Sequence, residues 1–115
     1  NIQNTLNKIK EYGFKRGISI KPNTDINKLI PYLNDIDLIL IMTVEPGQGG
    51  QPFLENSPTR IKEIKNLIKD KNILLEVDGG INDKTINLVN TADIAVVGSY
   101  ITTSDNMIEK VKTLV

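Results

Sequence analysis

The sequence contains neither cysteine nor histidine, and these two absences exclude several kinds of protein. A chain without cysteine cannot form disulfides, so the disulfide-stapled secreted class is excluded and a reducing, cytoplasmic location is expected. Zinc sites of the usual type are built on cysteine and histidine ligands, so this chain alone cannot form one.

The sequence also lacks net charge and any long apolar run. Fourteen basic and fourteen acidic residues cancel, which removes the usual electrostatic argument for binding to nucleic acid or to an anionic membrane. The longest apolar run, residues 38–42, is far too short to span a bilayer. The first residues show no signal-like pattern, and the missing initiator methionine indicates a processed or partial chain. We expect neither a nucleic-acid nor a membrane partner, although backbone N–H groups can bind phosphate without net positive charge.

What the sequence does contain is a regular alternation of strand-like and helical segments. We predict a helix over residues 2–12 and apolar strands over residues 17–20, 37–43, 73–77 and 94–97, each strand followed by a helix. Pro31 should shorten or kink the helix after the first strand. Residues 37–43 are almost entirely apolar, which predicts a strand buried on both faces.

This alternation favours an α/β fold in which helices cover parallel strands, in one domain over residues 1–115. Four strand–helix units are too few to close an eight-stranded barrel. An open doubly wound sheet and half a barrel therefore both remain as architectures.

The most informative segment is residues 74–81, Leu-Leu-Glu-Val-Asp-Gly-Gly-Ile. It is typical of a buried strand that ends at Asp78 and breaks into Gly79 and Gly80. Most strand-end Asp-Gly pairs only close a turn, but a simple turn does not need the second glycine. We therefore favour Asp78 as a positioned acid/base group beside an anion cradle formed by Gly79 and Gly80.

A second glycine-containing pair, Gly98 and Ser99, follows the next strand. The loops after the last two strands of an eight-stranded barrel are a common phosphate site. Both glycine pairs together therefore favour phosphate binding, with ordinary strand–helix turns as the alternative.

Gly47, Gln48, Gly49 and Gly50 lie in a longer loop after the second strand. They could cover a ligand or supply N–H donors, or form a flexible surface connection. They are not a Walker-type phosphate loop, because no Lys-Ser or Lys-Thr pair follows. Met42, near the end of that strand, on its own indicates core filling rather than function.

Together these segments resemble the ribulose-phosphate 3-epimerase family, phosphate-binding (β/α)8 TIM barrels of the pentose phosphate pathway. The most specific run is residues 42–51, Met-Thr-Val-Glu-Pro-Gly-Gln-Gly-Gly-Gln, and residues 20–24, residues 77–81 and the Gly98-Ser99 pair accompany it. The resemblance covers essentially the whole chain. It implies the C-terminal half of the barrel, strands five to eight with their helices.

The resemblance implies interconversion of D-ribulose 5-phosphate and D-xylulose 5-phosphate by proton transfer at C3. In the family, two aspartates act from opposite faces of the substrate, and a divalent metal stabilises the developing oxyanion. That metal is zinc or iron(II), with manganese or cobalt as alternatives. Asp78 matches the aspartate that is both metal ligand and acid/base group, and Met42 matches a methionine near the metal. The family's substrate and phosphate contacts match Gly47, Gln48, Gly49, Gly50, Gly79, Gly80, Gly98 and Ser99.

Parts of the family's machinery are missing from this sequence. The second aspartate, two histidine ligands and a serine contact belong to the first three strands of the barrel, and Gln48 stands where the family usually has Phe. We therefore expect this chain alone to be inactive. The resemblance implies that the full-length enzyme is a homo-oligomer acting on a small sugar phosphate. Two alternatives are a non-catalytic phosphate-binding half-barrel that needs a complementary half, and another phosphate-binding barrel enzyme such as a sugar-phosphate isomerase or decarboxylase.

Overall fold

The computed structural model describes residues 1–47 and 51–115 of the chain. These residues form a parallel sheet whose strands lie in the order β1-β2-β3-β4. The strands are β1 (Gly17–Ile20), β2 (Leu38–Met42), β3 (Leu74–Asp78) and β4 (Ile94–Val96). A doubly wound sheet reverses its strand order at a switch point, and no reversal occurs between these strands. The consecutive order is that of a segment of a (β/α)8 barrel, which confirms the α/β prediction and favours the half-barrel over the doubly wound alternative.

Helices connect the strands, as the alternating pattern predicts. The α-helices are α1 (Ile2–Glu11), α2 (Ser57–Leu67), α3 (Ser99–Thr102) and α4 (Met107–Lys112), and short 3₁₀ helices span Ile26–Tyr32 and Ile86–Val89. Pro31 lies inside the first 3₁₀ helix, as expected for a shortened helix. None of the helices formed by the described residues combines the length and the apolarity that crossing a lipid bilayer requires.

Local side-chain chemistry sets where two of these helices begin. The Asn1 side chain accepts a hydrogen bond from the backbone N–H of Asn4 at 3.0 Å, which satisfies a donor that the first turn of α1 leaves free. Pro58 lies in the first turn of α2, where its fixed φ suits a helix and its missing N–H costs nothing. The chain leaves α1 through Gly13, whose φ of +82° is easily reached only by glycine.

The hydrophobic core lies between one face of the sheet and the helices. Side chains of β2 and β3 alternate, so that Ile39, Ile41, Leu75 and Val77 point to the helices and are fully buried. The opposite face of β2 is only half-buried, and Leu74 on the same face of β3 is 48% exposed. The prediction that residues 37–43 are buried on both faces is therefore wrong, because the helices of this chain cover one face only.

Two aspartates fix the start of the strands at the edge opposite the carboxyl ends. Asp37 precedes β2, and its Oδ2 accepts a hydrogen bond from the N–H of Arg16 at 2.7 Å. Asp93 precedes β4, and its Oδ2 accepts one from the N–H of Leu75 at 2.8 Å. Each carboxylate thus joins the beginning of its own strand to the beginning of the preceding one. Lys65 on α2 adds an ion pair to Asp93 at 3.4 Å.

Candidate functional site

A cleft of about 920 Å³ opens at the carboxyl ends of β2, β3 and β4. Met42, Asp78 and Val96 line it, and they are register partners across the three strands. Side chains at the same register of a parallel sheet share one face, so the half-buried Asp78 carboxylate lies between Met42 and Val96. Three paired strands hold the backbone of this row, which fixes the position of Asp78.

The Gly79–Gly80 turn forms the next layer of the cleft. Gly79 has φ +125° and Gly80 has φ +69°, which side-chain-bearing residues rarely adopt. A Cβ on Gly79 would lie 2.5 Å from Cγ2 of Val44, and one on Gly80 would lie 2.9 Å from the backbone N of Phe53. Both positions therefore need glycine for conformation and for space. The turn packs directly against the loop that follows β2.

Two threonine hydroxyls bind the carbonyl groups of this turn. Oγ1 of Thr43 donates a hydrogen bond to the carbonyl oxygen of Gly79, and Oγ1 of Thr85 donates one to the carbonyl oxygen of Gly80 at 2.8 Å. Thr85 Oγ1 also accepts from the N–H of Asn82 at 2.9 Å, while Asn82 Oδ1 accepts from the N–H of Thr85 at 3.0 Å. Neither threonine is among the residues predicted from the sequence. The Asn-x-x-Thr spacing, typical of a reciprocal cap, is the signal that could have pointed to Thr85.

The structure brings most of the predicted site residues to this one cleft. The predicted residues that line it are Met42, Gly47, Asp78, Gly79, Gly80, Gly98 and Ser99. Gln48, Gly49 and Gly50 lie outside the described residues. Ser99 begins the four-residue helix α3, which the sequence analysis did not predict.

Several residues that the sequence analysis did not select also line the cleft. They include Glu45 in the loop after β2, Lys84 next to Thr85, and Tyr100 and Thr103 at α3. The described lining therefore carries two carboxylates, on Glu45 and Asp78, and one ammonium group, on Lys84. An anion bound here would have to rely mainly on backbone N–H groups, as the zero net charge of the chain suggests.

The part of the chain that the structure describes does not form a metal site by itself. Within residues 1–47 and 51–115, no three His, Cys, Asp or Glu side chains come together in a way that could hold a metal ion. Catalytic zinc sites use three protein ligands, and Asp78 can supply one. The residues present therefore do not fit a complete metal centre.

Comparison with known proteins identifies the family. A model of the Ribulose-phosphate 3 epimerase family matches residues 1–102. The chain belongs to this family. The resemblance carried by residues 42–51, residues 77–81 and Gly98-Ser99 is therefore confirmed.

Curated relatives agree with this assignment. Ribulose-phosphate 3-epimerase of Bacillus subtilis is 39% identical over 105 residues, covering 87% of this chain and 48% of the relative. The enzyme of that name from Buchnera aphidicola subsp. Baizongia pistaciae is 44% identical over 110 residues, covering 92% and 48%. The one from Helicobacter pylori is 43% identical over 100 residues, covering 84% and 46%. The chain thus spans about half the length of the curated relatives it matches.

Proposed function

We propose that residues 1–115 form the C-terminal half of the barrel of a ribulose-phosphate 3-epimerase. The reaction is the interconversion of D-ribulose 5-phosphate and D-xylulose 5-phosphate in the pentose phosphate pathway. One observation carries the proposal: in a chain of this family, Asp78 lies in a cleft at the carboxyl end of β3, beside a glycine turn suited to an anion. Barrel enzymes place their chemistry at this end of the strands.

Asp78 acts as the acid/base group on one face of the substrate. A C–H bond next to a carbonyl is only weakly acidic, so its proton needs a base held within hydrogen-bond reach. The register of β3 between β2 and β4 holds Asp78 in one place. Inversion at carbon needs a second such group on the opposite face, and it has to come from the complementary half of the barrel.

The phosphate group of the substrate binds at the glycine-rich end of the cleft. Its contacts are Gly79, Gly80, Gly98 and Ser99, and the family resemblance adds Gly47, Gln48, Gly49 and Gly50 as further substrate contacts. Backbone N–H groups bind phosphate without a cluster of basic side chains. This agrees with a described lining in which Lys84 is the cationic side chain beside Glu45 and Asp78.

A divalent metal belongs to the complete site, with zinc or iron(II) proposed first and manganese or cobalt as alternatives. Asp78 supplies one ligand and Met42 lies beside it in register, whereas the remaining ligands come from the complementary half. Such an ion acts as a Lewis acid when it is bound. Because the residues of this chain do not complete the centre, the chain alone should not turn over substrate.

The proposed function also includes a substrate, an oligomeric state and a cellular compartment. The partner is a small sugar phosphate, and the full-length enzyme forms a homo-oligomer in the cytoplasm. The absence of cysteine suits a reducing compartment. The non-catalytic half-barrel is not favoured, because the relatives all carry the name of the enzyme.

The test compares the chain alone with the chain joined to its missing half. With added zinc or iron(II), the isolated chain should show no epimerase activity on D-ribulose 5-phosphate. Co-expression with the complementary half of the Bacillus subtilis relative should restore turnover. Replacing Asp78 by Asn in that complex should reduce kcat by about 10²–10⁴-fold, the typical contribution of a general acid/base. Asp83→Asn is the matched control, because Asp83 is an exposed carboxylate of the same loop.

Three outcomes would contradict the proposal. Metal-dependent turnover by the isolated chain would show that no complementary half is needed. A complex that forms without turnover would favour the non-catalytic half-barrel. Turnover of a different sugar phosphate, in a panel assayed with the same complex, would favour another isomerase or decarboxylase.

A further inference from the structure

Two threonine side chains, one from a residue before the Gly79–Gly80 turn in the sequence and one from a residue after it, form hydrogen bonds to the turn. Thr43 follows β2 and Thr85 precedes the second 3₁₀ helix, yet their hydroxyls bind two consecutive carbonyls of the turn. We propose that Thr43 and Thr85 are positioning residues, which turn the N–H groups of Gly80 and Ile81 towards the cleft so that they can bind an anionic phosphate group. This inference rests on the proposed phosphate site and adds the residues that preform it.

The geometry of the peptide bond links each carbonyl to the next N–H. In a trans peptide the C=O of one residue and the N–H of the next point in opposite directions, and the described residues contain no cis bond. A carbonyl of Gly79 fixed on Thr43 therefore sets the direction of the Gly80 N–H. A carbonyl of Gly80 fixed on Thr85 sets the direction of the Ile81 N–H in the same way.

Gly80 and Ile81 both line the cleft, and neither N–H donates to another atom of the described part of the chain. Backbone N–H groups that point together into a concavity are an anion-binding arrangement that needs no basic side chain. By orienting these N–H groups, the two threonines would allow a chain with no net charge to bind an anion.

Thr43 is anchored more firmly than a surface cap would be. It is fully buried, its N–H donates to the carbonyl oxygen of Asp78 at 2.9 Å, and its own carbonyl accepts from the N–H of Leu54 at 2.8 Å. One residue therefore joins the strand end that carries Asp78, the first glycine of the turn and the loop after β2. Thr85 has its own anchor, through the reciprocal hydrogen bonds with Asn82.

The experiment measures phosphate binding directly, without catalysis. The ¹⁵N-labelled chain is titrated with inorganic phosphate, and the ¹H–¹⁵N spectrum follows the amides of Gly80 and Ile81. In the wild-type chain both signals should shift saturably. Thr85→Val, which keeps the shape and removes the hydroxyl, should weaken the dissociation constant about tenfold, equivalent to about 1.4 kcal/mol. Thr43→Val should act in the same direction.

Two controls separate positioning from folding. Thr85→Ser and Thr43→Ser keep a hydroxyl and should stay within about twofold of the wild-type dissociation constant. Thr5→Val removes a hydroxyl that also donates to a backbone carbonyl, that of Asn1, but lies on α1 away from the cleft. It should leave phosphate binding unchanged. Hydrogen exchange of the Asn82 N–H should accelerate in Thr85→Val alone, because this N–H loses its acceptor.

The outcomes that overturn the inference differ from those that overturn the phosphate site. If wild-type Gly80 and Ile81 show no saturable shift, the phosphate part of the proposed function fails and this inference fails with it. If wild-type binds but folded Thr85→Val and Thr43→Val bind equally well, the site stands and the positioning role is wrong. Serine variants as weak as the valine variants would also overturn it, because the hydroxyl would then not be the operative group.

Discussion

The strands β2 and β3 are packed very differently from the last strand, β4. On the face that the helices cover, Ile41 and Val77 have no exposed surface, whereas Ala95 of β4, the register partner of Val77, is exposed. All these residues lie in apolar strands of one sheet. The difference is position: β2 and β3 have a strand on each side, but β4 pairs with β3 alone. An apolar pattern therefore predicts a strand, while the neighbours decide how much of it is buried.

The apolar side chains of helix α4 are exposed to solvent, like those of β4. It is six residues long, and its residues Met107, Ile108 and Val111 are 52%, 70% and 43% exposed. Helices this short are marginal in water unless tertiary packing supports them. An edge strand with exposed apolar side chains is also a template for pairing. Both features support the proposal that a complementary half of the barrel covers this end of the chain.

The largest expected contrast comes from removing one isoleucine side chain in each region. Ile41→Ala should lower the free energy of unfolding by about 2–5 kcal/mol, because it leaves a cavity in a close-packed core. Ile108→Ala should change it by less than about 0.5 kcal/mol, as for most surface substitutions. Urea unfolding of both variants measures the difference. Equal losses would mean that α4 is packed as tightly as β2, and the contrast between the regions would disappear.

A smaller contrast is expected between the two glycines that follow neighbouring strands. Gly80→Ala should cost about 1–3 kcal/mol, because alanine is strained at a positive φ and its Cβ would lie 2.9 Å from the backbone of Phe53. Gly98→Ala is the matched control: its φ is −103° and nothing lies within 4 Å of the added Cβ. Thermal unfolding of the two variants tests this. A Gly98→Ala variant as unstable as Gly80→Ala would show that the end of β4 is as constrained as the end of β3.

The same contrast explains how much of the fold could be predicted from the sequence. The bounds of β1, α1 and α2 follow from local signals, such as a run of apolar residues, a cap or a proline at a helix start. The helix α3 was not predicted, because four residues are too few to show helical periodicity. The half-open face of β2 was predicted wrongly, because a strand facing a barrel interior is as apolar as one covered on both sides by helices.

The candidate site divides in a similar way. Asp78, Gly79 and Gly80 could be selected because a carboxylate and glycines at a strand end are visible in the sequence. Thr43 could not, since its hydroxyl meets a carbonyl 36 residues further along the chain. This contact forms only when β2 pairs with β3, so the residues next to Thr43 in the sequence do not predict it. The metal site was expected from the family resemblance, with Asp78 as one ligand, and it stays a prediction because the described residues bring no three metal-binding side chains together.

The smallest expected effect concerns Asp93, which holds the start of β4. Its Oδ2 accepts from the N–H of Leu75 at 2.8 Å and pairs with Lys65 at 3.4 Å. Asp93→Ala leaves the N–H of Leu75 without its acceptor, so it should cost about 1 kcal/mol. Lys65→Ala should cost less than about 0.5 kcal/mol, because exposed ion pairs contribute little. Asp105→Ala, at an exposed carboxylate before α4, should have no measurable effect.

The loss in Asp93→Ala should be local, which hydrogen exchange can show. Amides of β4 and the N–H of Leu75 should exchange faster, while the interior of β2 keeps its protection, because an edge strand can open without disturbing the core. Asp37→Ala provides the comparison, since Asp37 makes the equivalent bond to Arg16, between the starts of β2 and β1. β2 is paired on both sides, so this variant should instead raise exchange across the whole sheet. If Asp93→Ala also raised exchange across the whole sheet, β4 would unfold together with the core and would not be an edge strand that opens on its own.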